Sequence, residues 1–162
     1  MSSLEYEFLD RLEKHKGVIF KISKMYMDNT EDQSDLFQEI TYQAWKSYTS
    51  FEGKSEFSTW LYRIALNTAI VFLRTEKKRS FIRNEEINHI RTTYEDYNHQ
   101  QEEQLKKMYN AIHQLNSLDK ALIFYYLEDY SGKEIAKQTG LSEVNIRVRL
   151  NRAKAKLKEL LD

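Results

Sequence analysis

Residues 131–158 constrain the fold of this chain more than any other stretch, because their spacing is that of a helix-turn-helix. Ile135 and Ala136 fall on one side of a short first helix, and Gly140 supplies the tight turn that follows it. Leu141 is placed to fill the angle between the two helices, and Ser142 can cap the second one by accepting a backbone N–H. The pattern predicts two short helices packed at an angle.

The second helix of this pair has an apolar side and a basic side. Its apolar stripe repeats at three- and four-residue steps and consists of Ile146, Leu150, Ala153 and Leu157. The remaining surface sets six cations against the single carboxylate of Glu143: Arg147, Arg149, Arg152, Lys154, Lys156 and Lys158. Such a face suits phosphate oxygens. A plain amphipathic hairpin with a solvated charged face is the alternative, but polar Asn145 and Arg147 near the recognition end favour DNA.

The composition is that of an ordinary globular chain and excludes several chemistries. The 162 residues allow one or two small domains, with 41% hydrophobic and 31% charged side chains. The lack of cysteine rules out disulfides, thiolate metal sites and cysteine nucleophiles, and it fits a reducing cytoplasm. No apolar run reaches the ~18 residues of a membrane span, and the first residues lack the apolar core of an export signal. We therefore expect a cytoplasmic protein without membrane insertion.

The formal net charge is zero, which is unusual for a protein that binds DNA by itself, but the charges are unevenly distributed. Residues 74–83 and 105–162 each carry a net charge of +4, whereas residues 84–104 between them carry −5. This alternation predicts two basic DNA contacts separated by an acidic linker that avoids DNA.

The N-terminal half predicts three helices. Apolar residues near helical spacing indicate a first helix over residues 3–25, and a second helix is opened by Ser34 or Asp35 after a polar break. A loop over residues 49–58 follows, and Ser58 can cap a long third helix.

The third helix carries a mixed stripe of aromatic, cationic and amide side chains on its outer side. Three-, four- and seven-residue steps align Trp60, Arg63, Asn67, Arg74 and Lys78, where the helix is predicted to end. Such a stripe can stack on unpaired bases and hold their phosphates. An equally good interpretation of these residues by themselves places Trp60 in the core and makes Arg63 an ordinary surface charge.

The predicted fold class is all-α, with two small helical domains joined by an acidic linker. The first domain covers residues 1–80, the linker covers 81–103, and the second domain covers 104–162 and contains the helix-turn-helix. The four glycines build no phosphate-binding loop, and the four histidines lack the spacing of metal ligands. We therefore expect no catalytic residues, no metal, no cofactor and no enzymatic activity.

Three segments carry a resemblance to a known family. They are DLFQEITYQAW at residues 35–45, FEGKSEFSTWLYRIALNTAIVFLR at residues 51–74 and LSEVNIRVRLNRAKAKL at residues 141–157. Together they resemble a bacterial sigma factor of the extracytoplasmic-function group, the two-domain form of the sigma-70 family. The resemblance covers nearly the whole chain and implies binding to core RNA polymerase and promoter DNA. It also implies a regulatory partner, often an anti-sigma protein.

The resemblance implies a role for each matched surface. The helix that docks on the clamp of the largest polymerase subunit is matched by Asp35, Gln38 and Glu39. The helix that melts and reads the minus-ten element is matched by Trp60, Arg63, Asn67, Arg74 and Lys78, and the loop over residues 51–58 would hold an extruded base. The reader of the minus-thirty-five element is matched by Lys133, Asn145, Arg147, Val148, Asn151 and Arg152.

The chain departs from the family pattern at three positions. Asp119 follows Leu118 where the family often has Pro, and Leu66 and Val71 stand where it often has Arg and Asp. Because Leu66 and Val71 lie on or beside the promoter-reading helix, the promoter sequence does not follow from the resemblance.

The leading hypothesis is a dissociable specificity subunit of RNA polymerase that recognises and opens promoter DNA without bond-making chemistry of its own. The alternative is a free-standing helix-turn-helix regulator that binds duplex DNA as a dimer, and a scaffold without a DNA role is a distant third. The stripe around Trp60 favours the first hypothesis, because a simple helix-turn-helix regulator has no need of a second basic and aromatic surface.

Overall fold

The computed structural model describes residues 2–83 and 99–162, with side chains over residues 2–75 and 101–162. Seven α-helices and a short 3-10 turn make up the regular structure of these two stretches, which contain no strand. The helices are α1 (Ser3–Tyr26), α2 (Thr30–Ser47), α3 (Phe57–Arg83), α4 (His99–His113), α5 (Ser117–Leu127), α6 (Gly132–Thr139) and α7 (Glu143–Leu161), and the 3-10 turn is Tyr48–Ser50. The predicted all-α class and the helix-turn-helix are confirmed.

The first three helices pack on one another around an apolar core. Every pair among α1, α2 and α3 is in contact. Side chains that are fully or almost fully buried in this bundle include Phe8, Ile19, Ile22, Leu36, Ile40, Leu61 and Ala65. This core fixes α3 against α1, so that the outer side of α3 faces solvent.

Two helix starts predicted in the N-terminal half are wrong. The second helix begins at Thr30 rather than at Ser34 or Asp35, because the side chain of Asn29 accepts the Asp32 N–H at 2.8 Å and caps it. The third helix begins at Phe57, so Ser58 lies inside its first turn and does not cap it.

Helices also extend into the segment predicted as linker. The third helix continues to Arg83, beyond the predicted end at Lys78, and α4 begins at His99. Residues 84–98, the greater part of the predicted linker, lie outside the described residues.

The last four helices pack together through α7, and α5 is the most deeply buried of them. Its residues 120–125 are all buried, and α7 contacts α4, α5 and α6. Ile146, Leu150, Ala153 and Leu157 are the buried side of α7, as the apolar stripe predicts. This packing leaves the opposite side of α7 exposed to solvent.

The two groups of helices contact each other through α1 and α3 on one side and α4 and α5 on the other. Lys21 Nζ lies 3.0 Å from Glu128 Oε1, which ties α1 to the end of α5. The hydroxyls of Thr59 and Tyr130 are 2.6 Å apart, so the first turn of α3 is bonded to the segment between α5 and α6. Thr59, which precedes Trp60 in α3, is therefore part of the contact between the two groups.

A buried tyrosine adds a further bond between the two groups. Tyr26 at the end of α1 donates its hydroxyl to the backbone oxygen of Ser117 at 2.8 Å. The Lys120 ammonium lies 5.2 Å from the centre of the Tyr26 ring. Burial raises the pKa of Tyr26 far above its usual range, with a smaller contribution from Tyr125.

No helix within the described stretches combines the length and the apolar character needed to cross a membrane.

Candidate nucleic-acid interface

Four rings form an aromatic cluster where the 3-10 turn, the following loop and α3 meet: Tyr48, Phe51, Phe57 and Trp60. The centre of the Trp60 ring lies 5.1 Å from Phe51, 5.4 Å from Phe57 and 6.0 Å from Tyr48. These separations are within the range in which aromatic pairs attract. Phe51 and Phe57 flank a loop over residues 52–56, whose residues are all exposed. The cluster therefore anchors both ends of this loop to the bundle.

Two side chains of α1, Glu7 and Arg11, contact the aromatic cluster. The Arg11 guanidinium carbon lies 5.7 Å from the ring centres of both Phe51 and Phe57. Glu7 lies 3.5 Å from Arg11 and accepts the Tyr48 hydroxyl at 2.6 Å. Burial raises the pKa of Tyr48, and the hydrogen bond to Glu7 raises it further. Glu7 and Arg11 were not predicted as part of a site. Their four-residue spacing in the sequence indicates only that the two side chains can pair on one face of α1.

The stripe predicted on α3 is exposed over most of its length. Arg63, Asn67 and Arg74 are exposed, whereas Trp60 is half-buried and packs on the core. The side chain of Lys78 lies outside the described side chains, although its backbone belongs to α3. Trp60 thus combines features of both interpretations, since it packs within the aromatic cluster and keeps part of its surface in solvent.

The helix-turn-helix has the local geometry that its sequence predicts. Ser131 and Glu134 form a reciprocal capping box at the start of α6, and Gly140 ends that helix with φ of 77°. Ser142 then caps α7 by accepting the Asn145 N–H at 3.1 Å. These short-range bonds orient α7 relative to α6.

The side chains predicted to read the minus-thirty-five element all lie on the surface. Exposed residues of this set are Lys133 on α6 and Asn145, Arg147, Val148, Asn151 and Arg152 on α7. The five on α7 lie away from its buried stripe. The arrangement gives one polar and cationic helix face that is open to a duplex groove.

Three cations of α7 have partners within the protein, so the basic face is smaller than predicted. Arg149 lies 3.3 Å from Asp119 in the first turn of α5. Lys156 donates to the backbone oxygen of Gln114 at 3.0 Å, and Lys154 Nζ lies 4.4 Å from the centre of the Tyr126 ring. These three contacts hold α7 against α5 and its neighbours.

A third surface combines charge with an apolar groove. On α2, Asp35 and Gln38 are exposed, and Glu39 is half-buried and accepts the Gln43 amide at 3.0 Å. A groove of about 440 Å³ runs between α1 and α2, and Gln38 forms part of its wall. Other lining residues are Phe8, Leu9, Phe37, Tyr42 and Trp45. Two of these, Leu9 and Tyr42, are exposed, which is typical of a surface that receives a partner.

No group of His, Cys, Asp and Glu side chains in the described part of the chain is placed to hold a metal ion.

Comparison with known families matches both halves of the chain. Residues 12–79 match the family model of sigma-70 region 2, and residues 105–157 match that of sigma-70 region 4. The two matches occur in the same order as the two groups of helices. They include the α3 stripe in the first half and the helix-turn-helix in the second.

Individual relatives agree with these matches. The chain is 28% identical over 144 residues to the RNA polymerase sigma factor SigV of Bacillus subtilis, covering 86% of this chain and 81% of SigV. It is 32% identical over 136 residues to the ECF RNA polymerase sigma-E factor of Haemophilus influenzae, covering 76% of this chain and 71% of that protein.

Solved structures share the fold. The sigma factor RpoE from Bartonella quintana, in complex with the anti-sigma factor NepR, superposes with a TM-score of 0.72 at 22% identity over 96% of each chain. CnrH, in complex with the cytosolic domain of CnrY, superposes with a TM-score of 0.68 at 22% identity over 98% of this chain and 89% of CnrH.

Proposed function

The chain belongs to the sigma-70 family, in its extracytoplasmic-function group, and we propose a division of labour among its three exposed surfaces. As a sigma factor it binds core RNA polymerase and directs the enzyme to promoter DNA. The α2 face binds the polymerase, the α3 stripe opens and reads the minus-ten element, and α7 reads the minus-thirty-five element. The observation that carries this assignment is the half-buried Trp60 at the head of an exposed cationic stripe.

The α3 stripe suits unpaired DNA better than duplex DNA. Trp60 is held by the rings of the aromatic cluster, so an unpaired base can stack on its exposed part without the indole having to be ordered first. Arg63 and Arg74 supply cations for the phosphates along the same helix, and Asn67 between them can hydrogen-bond a base edge. Lys78 extends the stripe in sequence.

The exposed face of α7 suits the major groove of duplex DNA. Its cap at Ser142 leaves Asn145 and Val148 near the N-terminal end, where recognition helices of this type place their base-reading residues. Arg147 and Arg152 are exposed and can reach guanine edges or phosphates, and Lys133 on α6 adds a cation to the same region.

The α2 face suits a protein partner. Asp35 and Glu39 place carboxylates on α2, and Gln38 on the same helix and Glu5 on α1 line the apolar groove between α1 and α2. A partner that fills the groove with apolar side chains and meets these carboxylates with cations would bury both kinds of surface at once. We assign this partner as the clamp of the largest polymerase subunit.

The remaining assignments follow from family membership. We propose domains over residues 1–80 and 104–162 joined by the acidic segment between them. We also propose a cytoplasmic protein that performs no bond-making chemistry and is inhibited by an anti-sigma factor. The support for the last point is that the sigma factor RpoE, whose structure is similar, is bound to the anti-sigma factor NepR.

Run-off transcription tests the function directly. Core polymerase is assayed on DNA fragments from the genome that encodes this chain, with and without the protein. Specific transcripts are expected only when the protein is added to the polymerase. The variant with Asp35→Lys and Glu39→Lys should lose these transcripts, and Lys14→Ala on the outer side of α1 is the matched control. If no fragment yields a transcript and the free protein instead protects duplex DNA as a dimer, the chain is a free-standing regulator.

A further inference from the structure

Arg11 on α1 contacts both ends of the loop over residues 52–56. Its guanidinium carbon lies 5.7 Å from the centre of the Phe51 ring, just before the loop, and 5.7 Å from the centre of the Phe57 ring, just after it. Both distances are within the ~6 Å reach of a cation–π contact. One side chain therefore bridges the base of the loop from a different helix.

Arg11 is itself held in place. Its guanidinium pairs with Glu7 at 3.5 Å, and Glu7 accepts the Tyr48 hydroxyl at 2.6 Å. One turn further along α1, the ring of His15 packs on Phe57 with a centre-to-centre distance of 5.3 Å. The planar guanidinium can stack on two rings at once, which a lysine ammonium does less well.

The loop over residues 52–56 has little internal structure to fix its shape. All five residues are exposed, and Gly53 adopts a φ of +73°. The ion pair between Glu52 and Lys54, at 2.9 Å, is exposed and worth little. The shape of the loop therefore depends on how Phe51 and Phe57 are held.

We propose that Arg11 is a positioning residue for promoter opening, which acts by fixing Phe51 and Phe57 so that the loop between them keeps the shape that receives an extruded base. The inference rests on the proposed function of the N-terminal half. Arg11 is 40% exposed at its side chain, so its loss removes a constraint on the loop without opening the core.

The test measures how strongly the holoenzyme senses each base of the minus-ten element. The probe is a fork-junction DNA from a promoter found by run-off transcription, with the non-template strand single-stranded and one base at a time replaced by an abasic site. For the unmodified chain, one position should lower affinity about 5- to 150-fold, as expected for loss of one stacked base. Holoenzyme that contains Arg11→Ala should bind the intact fork more weakly. It should also lose most of the abasic penalty, which is the factor by which the abasic site at that position lowers affinity.

Three further variants separate positioning from general damage. Arg11→Met keeps an apolar stem and lacks the guanidinium, so it should behave like Arg11→Ala, whereas Arg11→Lys should recover part of the abasic penalty. Lys14→Ala is the matched control, because Lys14 pairs with Asp10 at 3.5 Å with the same four-residue spacing on α1 and contacts neither phenylalanine. It should retain the full penalty.

The outcomes distinguish the two levels of the proposal. If no abasic position matters for the unmodified chain, the proposed role of the loop is wrong. If one position matters and both Arg11→Ala and Arg11→Met retain its full penalty, Arg11 does not position the loop. Loss of the penalty in Lys14→Ala as well would show that any change on this face of α1 acts non-specifically, which also overturns the inference.

Discussion

Replacement of Trp60 by alanine should lower both the free energy of unfolding and the efficiency of promoter opening. The structure allows the size of each effect to be estimated separately. Removal of a fully buried aromatic side chain costs about 3 to 5 kcal/mol. Trp60 is half-buried and contacts three rings, so we expect roughly 1.5 to 2.5 kcal/mol, or a fall in melting temperature of roughly 3 to 10 °C for a chain of this size. The variant should remain folded at ordinary assay temperatures.

The effect of Trp60→Ala on function should depend on the template. Loss of one stacked base costs about 1 to 3 kcal/mol, which corresponds to about a 5- to 150-fold decrease in open complex on linear promoter DNA. A template with a pre-melted bubble supplies the open strand in advance, so the decrease should be smaller there. Trp60→Phe keeps an aromatic ring within the cluster and should show a weaker defect on both measures.

The assay is run-off transcription by the reconstituted holoenzyme on both templates, together with a thermal melt of each free variant. Trp45→Ala is the comparison variant, because Trp45 is also half-buried, packs on Phe8 at 5.2 Å between ring centres and lines the α1–α2 groove rather than the α3 stripe, so its loss affects folding and polymerase binding but not strand opening. It should lower the melting temperature but reduce transcription equally on both templates. If Trp60→Ala also shows equal losses on both templates with a strongly lowered melting temperature, Trp60 is structural and the proposed role of the stripe is refuted.

Three further predictions concern the second half of the chain and its contact with the first. Arg152→Ala should weaken binding of holoenzyme to the upstream element about 5- to 150-fold. Arg149→Ala removes a cation that pairs with Asp119, so it should leave that affinity nearly unchanged. Equal losses of affinity for the two variants in fluorescence anisotropy would contradict the assignment of Arg152 to the DNA-reading face. The free energy of unfolding should fall as pH rises above about 10, because burial raises the pKa of Tyr26 and the native state keeps a proton that the unfolded state releases. Urea titrations from about pH 8 upward should show that this free energy depends less steeply on pH for Tyr26→Phe than for the unmodified chain. A double-mutant cycle with Thr59→Val and Tyr130→Phe should give a coupling of about 0.5 to 1.5 kcal/mol in urea unfolding, and additive effects would show that this hydrogen bond contributes nothing.

Short-range rules account for what could be predicted from the sequence. The buried stripe of α7, its cap at Ser142 and the turn at Gly140 depend on residues within a few positions of one another, so the sequence specifies them directly. Helix periodicity likewise predicted the class of the fold and the exposure of Arg63 and Asn67.

Local rules failed where two candidates compete or where the partner is distant in sequence. Asn29 and Ser34 are both good capping residues, and Asn29 is the one used. The extra turn adds no apolar side chain to the core, but Gln33 within it donates to the backbone oxygen of Met27 at 2.9 Å. Arg149 is paired by Asp119, thirty residues away, and periodicity cannot indicate such a partner. For the same reason the contact of Arg11 with both ends of the loop could not be predicted.

Leu66 shows a similar limit of the resemblance. The resemblance implies an Arg at this position, whereas Leu66 of this chain is 2% exposed. The position therefore contributes to packing here and cannot contribute a cation to the α3 stripe. Val71, the other departure on this helix, is exposed.

The internal partners of Arg149, Lys154 and Lys156 set how promoter binding responds to ionic strength. Each cation that neutralises a phosphate adds about −0.9 to the slope of the logarithm of the binding constant against the logarithm of the salt concentration. Over a fourfold rise in salt, six such cations on α7 would weaken binding roughly 1,800-fold, whereas the remaining three, Arg147, Arg152 and Lys158, would weaken it roughly 40-fold. The upstream contact of this sigma factor should therefore persist through changes in intracellular ion concentration that would release a more fully basic helix.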